Sequence, residues 1–194
     1  MTTISRRNLL MSASAAAALL PAGQAVAEAD LDGVIGFQPE ERFRPQVVQV
    51  MSGHTPGEIH VDSAFHYLYL IGENDTAIRY GVAVGAAGRA FSGEAIIGRK
   101  AKWPRWTPTQ NMIKRDPESY SRWAGGMPGG PENPLGARAL YLFQDGRDTL
   151  YRIHGTPQPW TIGRSVSSGC VRMVNEHVTD LYERVEIGSR VIVY

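Results

Sequence analysis

Glycine and proline interrupt this chain so often that a fold built on long helices is disfavoured. The 194 residues include 21 glycines and 12 prolines, which weaken or end helices. Only one stretch, from Asn175 to Arg184, carries apolar residues at helical spacing, and Asn175 is predicted to cap it. Eight tyrosines and four tryptophans are typical of a turn-rich β protein. The sequence therefore predicts a mostly β fold.

Short β-branched and aromatic runs separated by turn residues predict the strands. Asn74-Asp75 and Asp145-Gly146 predict hairpin turns between neighbouring runs. The segment 86–135 is rich in Gly, Pro and Trp, and it is predicted to be irregular apart from a helical turn at 111–115. Within it, the loop from Ser119 to Leu135 is long enough to suggest a lid or a cleft wall. The predicted strands are 46–50, 59–62, 65–71, 77–85, 139–143, 149–153 and 190–194.

Three tryptophans of this region have two open interpretations. Trp103, Trp106 and Trp123 could line a substrate groove, because they lie in the segment predicted to border a cleft. They could equally cover the core beside an irregular segment.

The N-terminus has the composition of an export signal. Arg6 and Arg7 precede a weakly apolar stretch from Leu9 to Leu20, and Ala25-Val26-Ala27 offers small residues to a signal peptidase. The apolar stretch is too short and too polar to span a membrane. Residues 1–27 are therefore predicted to be a cleavable signal of the twin-arginine type, with a general secretion signal as the alternative. Either route predicts a periplasmic protein.

The rest of the chain is interpreted as an extended lead-in, residues 28–46, followed by one domain, residues 47–194. The formal net charge is +1, and removal of the two arginines of the signal leaves a nearly neutral chain. General electrostatic attraction to nucleic acid is therefore not expected.

Cys170 is the only cysteine, and His154 lies sixteen positions before it. Structural cysteines of exported proteins usually occur in pairs, so an unpaired one suggests a reactive thiol. A thiol nucleophile needs a base and donors for an oxyanion, and both residue types are present here. A buried, inert cysteine remains the alternative.

The remaining histidines have weaker signals. His60 and His66 would share one face of a continuous strand, and with His54 they could bind a metal ion. Ser63 and Ala64 interrupt that strand, so hydrogen-bonded or surface histidines are the alternative. His177 on the C-terminal helix is expected to be exposed.

The chain from about Val47 to Tyr194 resembles the catalytic domain of YkuD-type L,D-transpeptidases. The resemblance covers most of the chain after the signal, and its combined motif is specific. The matching segments are Ile153-His154-Gly155-Thr156, Ile162-Gly163, Val166-Ser167-x-Gly169-Cys170-Val171-Arg172-Met173, Asn175 with Asp180-Leu181, Trp103-Pro104, Thr107-Pro108-Thr109 and the run from Asn133 to Tyr141.

This resemblance implies a β-sandwich with a short helix after the catalytic cysteine. It implies a cysteine acyltransferase that acts on peptidoglycan stem peptides without a metal or other cofactor, and that is not an integral membrane protein. In such enzymes a thiolate attacks meso-diaminopimelate, D-alanine leaves, and an amine of a second stem resolves the thioester as a 3→3 crosslink. Some relatives instead attach a protein, such as an outer-membrane protein or lipoprotein, or hydrolyse the thioester.

The resemblance also implies roles for particular residues. Cys170 would be the nucleophile, His154 the base, and the Gly155 carbonyl the group that holds the imidazole tautomer. The amides of Gly169 and Cys170 would face the oxyanion. Arg172 would lower the pKa of the thiol or bind a stem carboxylate, or else pair with a structural acid.

Three further residues complete the expected site. Thr156 belongs to the histidine motif, and Ser167 is expected to hydrogen-bond within the cysteine loop. Ser168 stands where many family members carry histidine, so an auxiliary role of that histidine is absent here.

Two other functions are considered. A cysteine hydrolase would cut stem peptides through the same thioester. A catalytically weak peptidoglycan-binding module would be expected to lose Cys170, His154 or the glycines, and all of them are present.

Overall fold

The computed structural model describes residues 37–87 and 89–194. The predicted signal, residues 1–27, and most of the predicted lead-in therefore lie outside the described residues. In the described part of the lead-in, a 3₁₀ turn at Glu41–Phe43 leads into the first strand. The strands are β1 Gln46–Gln49, β2 Ile59–Asp62, β3 Tyr67–Ile71, β4 Thr76–Gly81, β5 Val84–Gly85, β6 Gly93–Lys102, β7 Arg138–Gln144, β8 Arg147–His154, β9 Ser165–Ser167, β10 Val171–Arg172 and β11 Arg190–Val193; the helices are α1 Gln110–Arg115, α2 Pro117–Tyr120 and α3 Asn175–Arg184.

Nine of these strands form one sheet in the order β1-β4-β3-β2-β11-β6-β7-β8-β10, and β5 pairs with β9 separately. β11 runs parallel to β2, β10 runs parallel to β8, and the other neighbours in the large sheet are antiparallel. The last strand thus joins the N-terminal and C-terminal halves of the sheet. One consequence is that the histidine and cysteine segments become direct neighbours at the β8–β10 end.

The largest of three hydrophobic clusters in the described residues is the main core, which lies between the two halves of the sheet. It contains Ile59 of β2 and Leu68 of β3 together with Leu140 of β7, and helix α3 adds Leu181. All four are fully buried. Strands that are far apart in the sheet share one cluster, so the sheet curls over its own inner face. The prediction of a mostly β fold with a short helix after the cysteine is confirmed.

The hairpin turns follow the residues that predicted them. Asn74 and Asp75 both have left-handed backbone angles, with φ of 55° and 56°, between β3 and β4. Asp145 and Gly146 do the same between β7 and β8, with φ of 50° and 74°. Two consecutive positive φ values match the twist of antiparallel strands, which explains why short polar residues and glycine occupy these positions.

The interpretation of 86–135 as wholly irregular is wrong for its first part, because β6 is a ten-residue strand at the centre of the sheet. Charged residues and glycines obscure the alternation in its sequence. Ala95 and Ile97 are nonetheless buried in the core. At Gly98 the ring of Phe143 occupies the space of a Cβ, and the pairing with β7 shifts there. After β6, α1 confirms the predicted helical turn, and α2 was not predicted.

Helix α3 has the bounds that the periodicity predicted, but two of its side chains differ from expectation. Asn175 does not cap the helix; Val174 holds the cap position, and Asn175 Oδ1 accepts a hydrogen bond from the Ala137 amide at 3.0 Å. His177 is buried rather than exposed, against Tyr80. Burial lowers the pKa of His177 to about 4. The expected surface histidine is therefore a neutral core residue.

His60 and His66 do not share a strand face. A turn separates β2 from β3, and His66 in that turn has a φ of 61°. Its Nε2 lies 2.9 Å from the hydroxyl of Ser165. His60 is buried on the outer face of β2, where its Nδ1 lies 2.8 Å from the hydroxyl of Tyr194.

Within residues 37–87 and 89–194, none of the helices combines the length and the apolar character that a membrane crossing requires.

Candidate active site

The parallel pairing of β8 and β10 brings the histidine and cysteine motifs together. It aligns Ile153 with Val171 and His154 with Arg172. Ile153 and Val171 are buried in the core. Because side chains alternate along a strand, the residues that flank this pair face away from the core. The side chains on that opposite face are Arg152, His154, Cys170 and Arg172.

Three of these side chains, those other than Arg152, border a cleft of about 440 Å³. His154, Cys170 and Arg172 line one wall, with Thr156, Ser167 and Ser168 beside them. The opposite wall comes from the segment after β6, including Met112 of α1 and Tyr120 of α2. Tyr120 falls within the loop from Ser119 to Leu135 that was predicted to form a lid or a cleft wall, whereas Met112 precedes that loop.

The three candidate tryptophans do not act as a group. Trp106 lines the cleft, whereas Trp103 and Trp123 are not among its lining residues. Trp103 is 41% exposed and has a left-handed backbone with φ of 44°. Trp160, which lies between the two motifs in sequence, lines the cleft and is half exposed.

His154 is held in one tautomer by the backbone. It is buried, and its Nδ1 donates a hydrogen bond to the Gly155 carbonyl at 2.5 Å. Nε2 is therefore the unprotonated nitrogen. Burial lowers the pKa of His154 to about 3, and the positive charges of Arg172 and Arg152 act in the same direction. The imidazole is neutral near pH 7 and can accept a proton.

Gly155 leaves no room for a side chain. A Cβ at this position would collide with Asn175 Oδ1 and approach the Ala137 amide to 3.0 Å. That oxygen and that amide are hydrogen-bonded to each other. The start of α3 and the start of β7 therefore pack directly behind the backbone that holds His154. This packing also explains why Asn175 is part of the motif although it does not cap its helix.

The thiol of Cys170 is partly exposed and lies among backbone groups of β8. Its Sγ is 4.0 Å from the carbonyl oxygen of Leu150. Burial raises the pKa of Cys170, while the Arg152 amide and the charges of Arg152 and Arg172 oppose that rise. Among the described residues, no hydrogen bond joins Sγ to the His154 ring. Together with the lowered pKa of His154, this describes a neutral thiol beside a neutral imidazole.

The loop before Cys170 is closed by Ser167. The Ser167 hydroxyl donates to the Cys170 carbonyl at 2.6 Å and accepts from the Gly169 amide at 3.0 Å. Gly169 has a φ of 135°, and a Cβ there would collide with the ring of Tyr151. Only glycine fits this position without strain. Because the Gly169 amide already has a partner, it is not free to face an oxyanion as expected.

The two arginines beside the thiol differ in their partners. Arg152 forms a two-pronged ion pair with Asp148, at 2.7 and 3.0 Å. Arg172 has no carboxylate partner within the described residues, and its Nη1 lies 3.4 Å from the side-chain oxygen of Gln158. The structural ion pair that was considered for Arg172 therefore belongs to Arg152. Arg172 leaves its guanidinium available in the cleft.

Ser168 and Thr156 have polar partners at the rim and floor of the cleft. Arg115 of α1 donates to the Ser168 hydroxyl at 3.1 Å, which ties the two walls together. The Thr156 hydroxyl accepts from the Gln158 amide at 3.1 Å. Thr156 is buried, whereas Ser168 is exposed.

Sequence reasoning missed three residues at this site. Arg152 could have been found, because it lies two positions before His154 and hence on the same strand face. Leu150 has an unusual left-handed backbone, with φ of 64°, inside a run that predicts a regular strand. The partner of Ser168, Arg115, lies 53 positions away and has no local signal.

The comparison with protein families identifies one matching domain. The family model YkuD, described as the L,D-transpeptidase catalytic domain, matches residues 56–193. That range contains every residue that lines the cleft.

Individual relatives agree with this match. "Probable L,D-transpeptidase YbiS" of Escherichia coli K12 is 39% identical over 127 residues, which are 64% of this chain and 40% of YbiS. "Probable L,D-transpeptidase ErfK/SrfK" of the same strain is 35% identical over 121 residues, 61% of this chain and 37% of that protein. The chain thus matches less than half the length of these two relatives.

Solved structures share the fold. A crystal structure from Brucella melitensis, named "Probable carnitine operon oxidoreductase caia", is 55% identical, covers 80% of this chain and 96% of that chain, and has a TM-score of 0.56. An L,D-transpeptidase from Mycobacterium smegmatis has a TM-score of 0.52 at 18% identity, covering 70% of this chain and 57% of its own. The name of the Brucella protein refers to redox chemistry, whereas the family model matches this chain itself. The family assignment therefore follows the model.

Proposed function

Because this chain belongs to the YkuD family of L,D-transpeptidase catalytic domains, we propose that it is a cysteine-dependent peptidoglycan L,D-transpeptidase. The observation that carries the proposal is that Cys170 and the tautomer-fixed imidazole of His154 line one cleft. A thiol and a base are what acyl transfer through a thioester needs.

In the proposed first half-reaction, Sγ of Cys170 attacks the carbonyl carbon of meso-diaminopimelate in a tetrapeptide stem. Nε2 of His154 accepts the thiol proton as the carbon–sulfur bond forms. The proton then passes to the amine of D-alanine as the carbon–nitrogen bond breaks. D-Alanine leaves, and the stem remains attached to Cys170 as a thioester.

In the second half-reaction, an amine of a second stem attacks the thioester. His154 accepts the amine proton and returns it to the departing sulfur, so the enzyme is regenerated. The product is a 3→3 crosslink. A protein amine in the same position would instead attach that protein to the stem.

Three groups are proposed to position the substrate or stabilise the negative charge that develops during the reaction. Arg172 lines the cleft without a carboxylate partner in the described part of the chain, and its guanidinium suits a carboxylate of the stem. The amide of Cys170 is the donor proposed for the oxyanion, since the Gly169 amide donates to Ser167. Arg152, fixed by Asp148, adds positive charge where negative charge develops.

Action on peptidoglycan requires export, and this part of the proposal depends on the sequence alone. The signal predicted in residues 1–27, the twin-arginine route and the periplasmic location all remain predictions.

Product analysis tests the proposal. The protein is incubated with disaccharide-tetrapeptides, and the products are identified by mass spectrometry. We expect crosslinked dimers and free D-alanine, and a covalent intermediate on the wild-type chain. Cys170→Ala should give neither product nor intermediate, while the matched control His66→Ala, at a residue that does not line the cleft, should behave as the wild type. Tripeptide as the only product would contradict transferase activity and support the hydrolase, and an unchanged Cys170→Ala variant would remove the thiol from the mechanism.

A further inference from the structure

A second cluster of histidine and carboxylate side chains lies outside the cleft, on the outer face of β2. Candidate ligand atoms of His54, Glu58 and His60 all lie within 4.8 Å of one another. None of these residues lines the cleft. Glu58 and His60 are buried, with 8% and 1% of their surfaces exposed, and His54 is half-buried. Buried polar groups of this kind need partners.

The partners of Glu58 aim one carboxylate oxygen at the histidines. Arg190 donates to Oε1 at 2.6 Å and also binds Glu94 at 3.0 Å. Oε2 accepts from the Thr55 amide at 3.3 Å and lies 3.3 Å from His60 Nε2. Glu58, Glu94 and Arg190 together carry one net negative charge, which favours binding of a cation.

His60 is oriented from its other side. Its Nδ1 lies 2.8 Å from the hydroxyl of Tyr194, and the two rings are stacked. Histidine ligands of metal ions usually donate the second ring nitrogen to such an outer partner, which points the first nitrogen at the metal. In that tautomer Nε2 presents a lone pair toward Glu58 Oε2.

His54 is the member that hydrogen bonding within the cluster leaves unexplained. Its ring packs edge-on against His60, with centroids 4.7 Å apart. Its Nδ1 is buried, and it has no hydrogen-bond partner among the described residues. An unpaired ring nitrogen beside a second imidazole and a carboxylate is a second, independent indication of a ligand.

We propose that His54, Glu58 and His60 form a binding site for one divalent transition-metal ion, with zinc as the preferred ion. Two imidazoles and one carboxylate are a common zinc ligand set, and water can complete the tetrahedron. Zinc bonds of about 2.0–2.2 Å place neighbouring tetrahedral ligands about 3.3 Å apart. The Nε2–Oε2 separation already has this value. The candidate ligand nitrogen of the half-buried His54 lies within 4.8 Å of the other two ligand atoms.

The role of this ion is structural. His54 precedes the turn that leads into β2, and Gly57 of that turn donates to the Ile71 carbonyl at 2.9 Å. The partners Arg190 and Tyr194 lie at the two ends of β11. An ion bound here would link the turn to β2, which pairs in parallel with β11. Binding to the folded state alone stabilises it.

The test uses the full chain carrying Cys170→Ser, so that the thiol cannot bind metal. Co²⁺ is titrated and followed by its visible d–d absorption, and Zn²⁺ is added to displace it. We expect one Co²⁺ per chain, displaced by one Zn²⁺. In parallel, Zn²⁺ at a hundredfold excess over its Kd should raise Tm by about 5 °C.

Three variants locate the site. His54→Ala in the same background should weaken Zn²⁺ binding by about tenfold or more, and Glu58→Gln should do the same. The matched control His66→Ala removes a histidine that lies outside the cluster and should bind Zn²⁺ as the parent does. His54 is half-buried, so its variant decides the question if Glu58→Gln does not fold. Absence of the Co²⁺ spectrum, or equal Zn²⁺ affinity in His54→Ala and His66→Ala, would overturn the proposal.

Discussion

Two buried histidines on distant strands, both directed away from the main core, show how neighbours set the chemistry of one side chain. His154 on β8 faces two guanidinium groups and a thiol, and its Nδ1 donates to a backbone carbonyl. His60 on β2 faces a carboxylate and a second imidazole, and its Nδ1 meets a tyrosine hydroxyl. The first environment makes a neutral proton acceptor, and the second makes a group suited to a cation.

The difference lies in where the carboxylates are. In the described residues no acid is bonded to His154, because the nearby Asp148 is paired with Arg152. Glu58 is bonded to the His60 ring directly. A carboxylate against His154 would raise its pKa and favour the imidazolium. A backbone carbonyl orients the ring without adding a full negative charge. The cleft can therefore combine a fixed tautomer with an uncharged base.

The largest effect expected from this comparison is the loss of the base. His154→Ala should slow acylation of Cys170 by about 10²–10⁴-fold at pH 7, since general base catalysis contributes on that order. Acylation by a carbapenem, measured by intact mass, checks this, because family members are expected to react with that class. His54→Ala, at a residue that does not line the cleft, should acylate at the wild-type rate. Equal rates in the two variants would contradict the assignment of His154.

The pH dependence sharpens the same comparison. The pKa of His154 is lowered to about 3 and that of Cys170 is raised above its ordinary value of 9.0. Between these two pKa values the thiol carries its proton and the imidazole is neutral. We expect the wild-type acylation rate to be nearly constant between about pH 5 and pH 8. In His154→Ala the rate should instead rise about tenfold per pH unit, because only the thiolate reacts.

One result would contradict this predicted pH dependence. A wild-type acylation rate that decreases as the pH is lowered through an apparent pKa near 6 would mean that His154 titrates like an ordinary histidine. The two neighbouring arginines, with no carboxylate facing the ring, would then not lower the pKa of His154.

The smallest effect concerns the link between the cleft walls. Ser168→Ala removes the hydroxyl that accepts from Arg115, an exposed contact worth about 1 kcal/mol or less. Carbapenem acylation should slow by at most about fivefold, chiefly through weaker binding. Arg115→Ala should give the same change, and the double variant should add little to either. Additive losses would show that the two residues act separately, and a hundredfold loss would assign Ser168 a direct role in the chemistry.

Much of the fold could be read from local sequence. The turns at Asn74-Asp75 and Asp145-Gly146 follow from residues that tolerate positive φ, and α3 follows from its apolar spacing. Strand β6 could not be predicted, because Gly98 and the charged residues around it hide the alternation. Its identity as a central strand depends on pairing with β7 and β11, which are distant in sequence.

The candidate site likewise contains residues that the motif predicted and contacts that only the fold reveals. Cys170, His154 and Gly155 were predicted from the motif, and the motif exists because a thiol, a base and a carbonyl must occupy adjacent backbone. The engagement of the Gly169 amide by Ser167, the pairing of Arg152 rather than Arg172, and the contact between Arg115 and Ser168 were not predicted. Each depends on which groups the fold brings within hydrogen-bonding distance.

The sequence by itself therefore determined the turns, the terminal helix, the fold class and the residues that are proposed as nucleophile and base. These depend on backbone preference, periodicity and residue chemistry over short spans. Only the tertiary structure decided the lowered pKa values of His154 and His177 and the existence of the His54, Glu58 and His60 cluster. Burial and neighbouring charges set a pKa and a ligand set, and they come from strands that are far apart in the chain.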